Sequence, residues 1–396
     1  EGLLLIVMPE RRSQALTPLL QRLEDVRPGA VWLGAAMHRR GDDRRRMARL
    51  AAAADAARVP LLATNDVLYH DPGQRDLQDV LTCIREGVTI HEAGRRLLSN
   101  AERHLKPAEE MVRLFADAPQ AVAETIEFLR RPIFDLKELR YEYPEEPIPP
   151  GQTPQGWLEA LLRERTPIRY PDGAPDKVKA DLAKELAYIA ERDLAPYFLT
   201  IHDIVRVAED KGILCQGRGS AANSAVCYVL GITSVDPAHN DLLFERFLSA
   251  DRHEPPDIDV DFEHERREEI IQHIYGRYTR ERAGVAATVI RYRPRSAIRE
   301  VGKALGLTED VTARLASSQW GSYGTSIPDR DITQAGMAVE NQEIRRAVDM
   351  AARLLGFPRH LSQHVGGFIL TRGRLDELVP IGNAAMPDRT FIEWDK

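Results

Sequence analysis

Short apolar runs and amphipathic stretches alternate along the first part of the chain. Residues 3–8, 30–33 and 59–63 are apolar segments of strand length, and residues 13–26 and 44–57 between them carry apolar positions at helical spacing. Strands that are apolar throughout are buried on both faces, as parallel strands joined by helices are. An α/β arrangement is therefore expected over residues 1–72. From residue 73 to about 129 the pattern turns helical, with Pro107-Ala-Glu-Glu110 opening one helix and Pro119 another. Residues 131–154 break the pattern. Pro132, Pro144, Pro147, Pro149, Pro150 and Pro154, set among acidic residues, predict a stiff connector and a domain boundary. Beyond it, residues 177–194 and 198–211 read as amphipathic helices, and 213–215 as a strand leading into a glycine-rich turn. Residues 257–262 read as a strand and 266–280 as a helix. Residues 291–356 are mostly helical in pattern and basic, and 367–381 return to strand character. No internal repeat or low-complexity tract interrupts this α/β, multidomain reading.

Composition adds limits. The chain has 396 residues, 43% hydrophobic and 29% charged, an ordinary globular balance with room for roughly two to four domains. No apolar run approaches the ~20 residues of a membrane helix. The opening apolar segment is short and lacks the basic flank of a signal peptide, so a cytoplasmic protein is expected. Cys83, Cys215 and Cys227 show no disulfide or zinc-knuckle spacing and read as small buried hydrophobes in a reducing compartment. The formal charge of −7 runs against a whole-chain nucleic-acid binder. Its distribution does not: Arg277, Arg280, Arg282, Arg291, Arg293, Arg295, Arg299 and Lys303 face only Glu281 and Glu300 over that stretch, a local stripe able to track a phosphate backbone.

Two motifs carry chemistry. In Pro255-Pro-Asp-Ile-Asp-Val-Asp-Phe262, the period of two puts Asp257, Asp259 and Asp261 on one face and Ile258, Val260 and Phe262 on the other. Aspartate is a poor strand former and like charges repel, so the arrangement is costly unless a cation neutralises it. Divalent ions such as Mg²⁺ take carboxylate oxygens and complete their shell with water and substrate phosphate. An exposed acidic edge strand is the plainer alternative. In Ile213-Leu-Cys-Gln-Gly-Arg-Gly-Ser-Ala-Ala-Asn-Ser224, a strand ends, Gly217 and Gly219 permit a tight turn, and a helix is expected to begin near Ser220. Backbone N–H groups at such a start form an anion site, to which Arg218 adds a fixed charge. By itself the segment also fits a loose dinucleotide fingerprint or a purely structural turn. The acidic strand some forty residues later favours a triphosphate, and the two motifs together describe nucleotidyl transfer.

Taken in order, Gly217-Arg-Gly-Ser-Ala-Ala-Asn-Ser224, Asp241-Leu-Leu-Phe-Glu-Arg-Phe-Leu248 and Pro256-Asp-Ile-Asp-Val-Asp-Phe262 resemble the palm of the bacterial C-family replicative DNA polymerases, the polymerase III alpha subunits. The similarity continues through Ile298-Arg-Glu-Val-Gly302 and His364-Val-Gly-Gly367 and backwards into the first domain, so it covers nearly the whole chain. Leu361-Ser-Gln-His-Val-Gly-Gly367 and Asn383-Ala-Ala-Met-Pro-Asp-Arg389 look more like the error-prone, damage-inducible paralogue than the main replicase. The resemblance implies template-directed joining of deoxynucleoside triphosphates (dNTPs) to a primer 3′ hydroxyl, with two Mg²⁺ ions, and synthesis across damaged template. The implied partners are primer–template DNA and dNTPs, with a sliding clamp and other repair-polymerase subunits reached through further regions. The implied architecture is a partial polymerase-and-histidinol-phosphatase (PHP) type α/β domain over 1–72, a helical connector completing it over 73–130 and a linker over 131–154. A nucleotidyltransferase-type palm follows over 155–290 and 367–396, with a helical thumb inserted over 291–366.

The family's roles transfer position by position. Asp259 and Asp261 match the adjacent palm aspartates that hold the catalytic metals, with Asp257 just outside the pair, and Gly219 and Ser220 match the triphosphate loop beside Arg218. Arg246 and Arg252 are either phosphate partners or surface ion pairs. Arg291, Arg293 and Arg295 match the start of the thumb on the DNA, Arg295 standing where a lysine is usual, which keeps charge but changes geometry. His364, Gly366 and Gly367 let backbone approach the nucleic acid, or form a core histidine beside a structural glycine pair. Two departures stand out. The family's third palm aspartate falls beyond Trp394-Asp395-Lys396, as do the fingers, so these 396 residues alone are expected to bind triphosphate weakly and not to polymerise. The early metal-binding histidines of the PHP domain are absent, and in Thr64-Asn-Asp-Val-Leu-Tyr-His70 it is Leu68 that stands where metal-binding relatives have histidine. A phosphoesterase centred on Asp66 and His70 is the rival enzyme reading, and a non-catalytic polymerase-assembly scaffold the third.

Overall fold

The computed structural model describes residues 3–9, 15–139, 142–144, 148–239, 258–319, 327–384, 386 and 388–395. It divides into two compact units, Glu1–Leu136 with Ile290–His360, and Lys137–Val289 with Leu361–Lys396. The acidic strand and the glycine turn belong to the second, the basic run at 291–295 to the first.

In the first unit the early apolar runs become β1 (Leu5–Val7), β2 (Val31–Ala36) and β3 (Leu61–Thr64), parallel and in that order. The helical stretches become α1 (Leu16–Val26) and α2 (Asp43–Ala57). Every residue of β2 is buried. Val31, Leu33 and Ala35 share a core with Leu20, Met47, Leu50 and Ala54 of α1 and α2. Trp32, on the alternate face, stacks edge-on against Phe128 at 4.9 Å and donates its indole N–H to Glu124 at 2.9 Å. Both partners lie in α5 (Pro119–Leu129), so helices cover both faces of the sheet, as the uninterrupted apolar pattern requires. Between β3 and α5 come α3 (Arg75–Glu86) and α4 (Ala108–Leu114).

The second unit opens with α6 (Pro154–Arg169), α7 (Asp176–Glu191) and α8 (Ala195–Asp210). Pro154, read as the last residue of the connector, is instead the first residue of α6, and Thr153 caps it by accepting the Gly156 N–H at 3.1 Å. Next come β4 (Cys215–Gly219), α9 (Ala225–Leu230), β5 (Ile258–Phe262) and α10 (Arg267–Tyr278). The strand expected at 213–215 thus shifts into the glycine-rich segment itself, because that segment hydrogen-bonds along β5. A second sheet, in the order β7-β6-β9-β8, holds β6 (Ala283–Arg291), β7 (Pro358–Leu370), β8 (Ile381–Asn383) and β9 (Thr390–Asp395). β6 and β9 are parallel, β8 and β9 antiparallel. The sequence pattern predicts no element at 283–290. Its alanines and Gly284 carry little strand propensity, and Gly284 is needed because a Cβ there would lie 2.9 Å from Ile392 of β9.

The remainder of the first unit is α11 (Pro294–Ala304), α12 (Glu309–Ser317), α13 (Asp329–Gln334) and α14 (Gln342–Leu354). Ile298, Val301, Leu315, Ile332, Val348 and Leu354 form its core, and Leu77, Val80 and Cys83 of α3 complete it. Arg353 clasps Asp76 at 2.7 Å, and Ile90 N–H donates to Ala304 O at 2.7 Å. Among the described residues no helix is long and apolar enough to cross a membrane.

Candidate active site

β4 and β5 pair antiparallel with Arg218 opposite Asp259 and Gln216 opposite Asp261. Directly opposed residues share a face. Ile258 and Val260 pack into the core of α6–α9, and Phe262 against α8 and α10, so Asp259 and Asp261 are left on the other face, as the period of two predicts. Arg218 meets both there: its Nη1 lies 3.5 Å from Asp259 Oδ2 and its Nε 2.7 Å from Asp261 Oδ2. The arginine assigned to phosphate by its place in the turn is thus also the protein's own counter-charge for the carboxylates. All three side chains are well exposed, at 57%, 39% and 63% for Arg218, Asp259 and Asp261. Ion pairs in such surroundings are worth only ~0–1 kcal/mol, so the guanidinium is readily exchanged for another cation. Asp257, Arg246 and Arg252 lie outside the described residues.

The turn is built on two glycines that act differently. Gly217 donates its N–H to Ile232 O at 2.6 Å, and a Cβ at Gly217 would lie 2.4 Å from that oxygen, so no side chain fits. Gly219 has φ 65° and ψ −128°, which L-residues scarcely adopt. A Cβ at Gly219 would stand 3.8 Å from Asp259 Oδ2, which places the turn beside the acidic face. The helix expected near Ser220 is instead a 3₁₀ turn, Ser220–Asn223, followed by α9. The start of α9 is not open to a ligand. Glu185 of α7, 2% exposed, accepts from Ser224 Oγ, Ala225 N and Val226 N. An anion drawn to this segment must therefore meet the 218–223 turn and not the helix.

The remaining expected residues are elsewhere. Arg291, Arg293 and Arg295 are exposed while Tyr292 and Pro294 between them are buried. Arg291 donates to Gly356 O at 3.3 Å and Arg295 to Gln319 O at 3.1 Å. They belong to the first unit. His364 of β7 turns onto its own strand, where its Nδ1 accepts from Gly367 N at 2.5 Å and Gly366 N at 3.3 Å. Gly367 makes room for that ring, since its Cβ would lie 2.6 Å from Nδ1, whereas Gly366 faces open space.

In the first unit Asp66 meets His38 and not His70. His38 Nε2 lies 3.2 Å from Asp66 Oδ2, and Arg103 Nη2 2.5 Å from Asp66 Oδ1. Burial, and then the charge of Arg40, holds the His38 imidazole below its ordinary pKa. His38 escapes a motif search. Its one signal is position: His38 and Asp66 each follow the end of a parallel strand, β2 and β3, and adjacent parallel strands bring such ends together.

A glycine turn hydrogen-bonded beside paired, exposed carboxylates holds the ingredients of metal-assisted phosphoryl transfer. Residues 156–396 match the family model described as bacterial DNA polymerase III alpha NTPase domain, and the chain belongs to that family. It is 63% identical over its whole length to an "Error-prone DNA polymerase" of Bradyrhizobium sp. (strain ORS 278), covering 34% of that protein. It is 62% identical, again over its whole length and 34% of the relative, to one from Rhodopseudomonas palustris (strain HaA2). With one from Brucella abortus biovar 1 (strain 9-941) it shares 59% identity over 98% of the chain and 36% of the relative. The chain thus spans about a third of the length of the curated relatives it matches.

Proposed function

We propose that this chain supplies part of the catalytic centre of an error-prone, template-directed DNA polymerase that extends primers across damaged template in the bacterial cytoplasm. The observation that carries the reading is the β4–β5 pairing, which sets Asp259 and Asp261 beside the Arg218–Gly219 turn on one exposed face. That both carboxylates draw one guanidinium supports a face that accepts a cation, and hard oxygen donors in water suit Mg²⁺. Asp259 and Asp261 would hold Mg²⁺, which when bound neutralises the triphosphate and favours ionisation of the primer hydroxyl. The 218–223 turn receives the triphosphate through Gly219 and Ser220. Arg218 adds positive charge as the carboxylates acquire theirs from the metal. Rigid attachment of both strands to the core holds the reacting groups in line.

On this reading the second unit is the palm, α11–α14 the thumb, and the β1–β3 region a PHP-type domain. Arg291, Arg293 and Arg295 then track the backbone of primer–template DNA, and a sliding clamp or other subunits engage regions outside these residues. Asp66, already held by Arg103 and His38, gives no support to phosphoesterase chemistry. The test is Asp259→Ala and Asp261→Ala in a chain of the relatives' full length. Loss of the several kcal/mol supplied by the metal should cut primer extension by on the order of 10³-fold or more, with melting unchanged. Near-normal extension in either variant would refute the assignment.

A further inference from the structure

Among the described residues of the second unit, Glu185 is the one fully buried carboxylate, and it binds the segment next to the nucleotide turn. Its Oε2 accepts from Ser224 Oγ at 2.6 Å and Val226 N at 3.0 Å, and its Oε1 accepts from Ala225 N at 2.7 Å. Ser224 Oγ in turn accepts from Cys227 N at 3.0 Å. Capping alone does not call for this. Ser224 is already the N-cap of α9, and a serine suffices there. A carboxylate buried between α7 and the start of α9 is costly to desolvate, and burial pushes it up to about 7 in spite of three hydrogen bonds.

What the arrangement fixes is the path of the chain on either side of residues 218–223. Upstream, Gly217 is pinned to Ile232 O. Downstream, Ser224, Ala225 and Val226 are pinned to Glu185. The far end of α9 is tied as well, His202 Nδ1 donating to Leu230 O at 3.0 Å. Between the buried Gly217 and Ser224, Arg218 and Gly219 are exposed, Ala222 and Asn223 are half-buried and Ala221 is buried.

We propose that Glu185 is a positioning residue for nucleotide binding. It anchors residues 224–226 at the downstream end of the turn, so that the triphosphate is received by the 218–223 turn in one fixed geometry. The proposal rests on the reading of that turn as the triphosphate site.

The experiment compares Glu185→Gln, Ser224→Ala and Gly219→Ala in a chain of the relatives' full length, by single-nucleotide primer extension and primer–template binding. Glutamine keeps the size of the side chain but turns an N–H₂ toward N–H donors. Glu185→Gln is expected to raise KM for dNTP by about 10- to 100-fold with kcat within about threefold and the Kd for DNA unchanged. Amide exchange should quicken over residues 218–226 and nowhere else in the second unit. Ser224→Ala should show the same pattern more weakly, and it decides the matter if Glu185→Gln does not fold. If Gly219→Ala raises KM and the folded Glu185→Gln or Ser224→Ala chain does not, the positioning role is refuted alone. If Gly219→Ala leaves KM unchanged, the triphosphate reading falls and this proposal with it. A parallel fall of kcat, kcat/KM and DNA binding would reduce Glu185 to a structural buried polar group and refute the proposal.

Discussion

Each unit sets an arginine against aspartate, and the two clusters differ in what they leave open. In the first, Arg103 donates through Nε to the backbone oxygen of Asp66 at 2.8 Å and through Nη2 to its carboxylate. The guanidinium thus grips one residue at two points, while the buried His38 takes the other carboxylate oxygen. Asp66 is itself held at φ 48°, a conformation that needs such support. In the second, Arg218 reaches across from the neighbouring strand to two carboxylates on a regular strand, all at the surface. A residue gripped through backbone and side chain is part of the fold. A pair of carboxylates bridged at the surface stays open to water, metal and phosphate, which is why we propose it as the site. Aspartate and arginine side by side therefore say little about function until exposure and backbone attachment are added.

The sharpest way to break this contrast is to remove an aspartate from each side. Asp259→Ala should abolish extension, whereas Asp66→Ala should leave it within about threefold. The Asp66 change should lower the stability of the first unit by about 1–3 kcal/mol, because Arg103 and His38 lose their acceptor. Equal losses of extension in the two variants, measured on the same primed template, would erase the distinction.

Next in size is a pH effect at the two ends of α9. Glu185, pushed up to about 7 by burial with Asp181 adding to the rise, binds a proton in the folded chain that the unfolded chain releases near 4.5. Its contribution to stability falls as pH climbs through that window and is level above it. His202 is held at about 4 by burial and by Arg165 and Arg206, against Asp203. The unfolded chain therefore takes up the proton first, and stability falls as pH drops from 6.5 toward 4. Each displacement is worth about 3 kcal/mol and the signs are opposite, so they offset across the shared range. Other lowered histidines, His38 among them, add to the parent's slope, so the readout is the difference between variant and parent. Urea denaturation near pH 5 and near pH 7 should show Glu185→Gln gaining more stability with rising pH than the parent does, because the opposing carboxylate slope is gone. A variant with the same pH dependence as the parent would contradict the assignment.

A smaller change is expected at Arg103. Arg103→Ala frees the Asp66 carboxylate to pair with His38, so the imidazole should titrate at higher pH than in the parent, as read from its NMR shifts. No upward movement would mean that Arg103 does not hold the cluster. Smallest is the basic stripe. Neutralising Arg291, Arg293 and Arg295 should flatten the log–log salt dependence of DNA binding by about 0.9 for each duplex phosphate no longer neutralised by the protein. An unchanged slope would return the stripe to solvated surface.

Much of the fold is legible in local patterns, and the exceptions share a cause. β1–β3 and the acidic face of β5 follow from apolar runs and a period of two, which need no knowledge of distant residues. β6 does not: Ala283-Gly-Val-Ala-Ala287 becomes a strand because β9 lies beside it. The strand character of Gln216-Gly-Arg-Gly219 likewise depends on β5, and only with that pairing does Arg218 come to face Asp259. α3 reads as a helix from its own residues, but its partnership with α11 and α14 joins segments far apart in the sequence. Glu185 is a lone glutamate on an amphipathic helix, where the ordinary expectation is a solvated side chain. Only the tertiary fold turns it inward onto α9.

Which aspartates take a divalent ion decides between the two clusters. Fe²⁺ substituted for Mg²⁺, with ascorbate and peroxide, generates hydroxyl radicals that cut the backbone beside the bound metal. Fragment mapping on the folded chain should show cuts near residues 217–220 and 258–262, suppressed by excess Mg²⁺ and lost in the Asp259→Ala/Asp261→Ala double variant. Cuts near His38 and Asp66, or none around Asp259 and Asp261, would contradict a metal site on the β5 face.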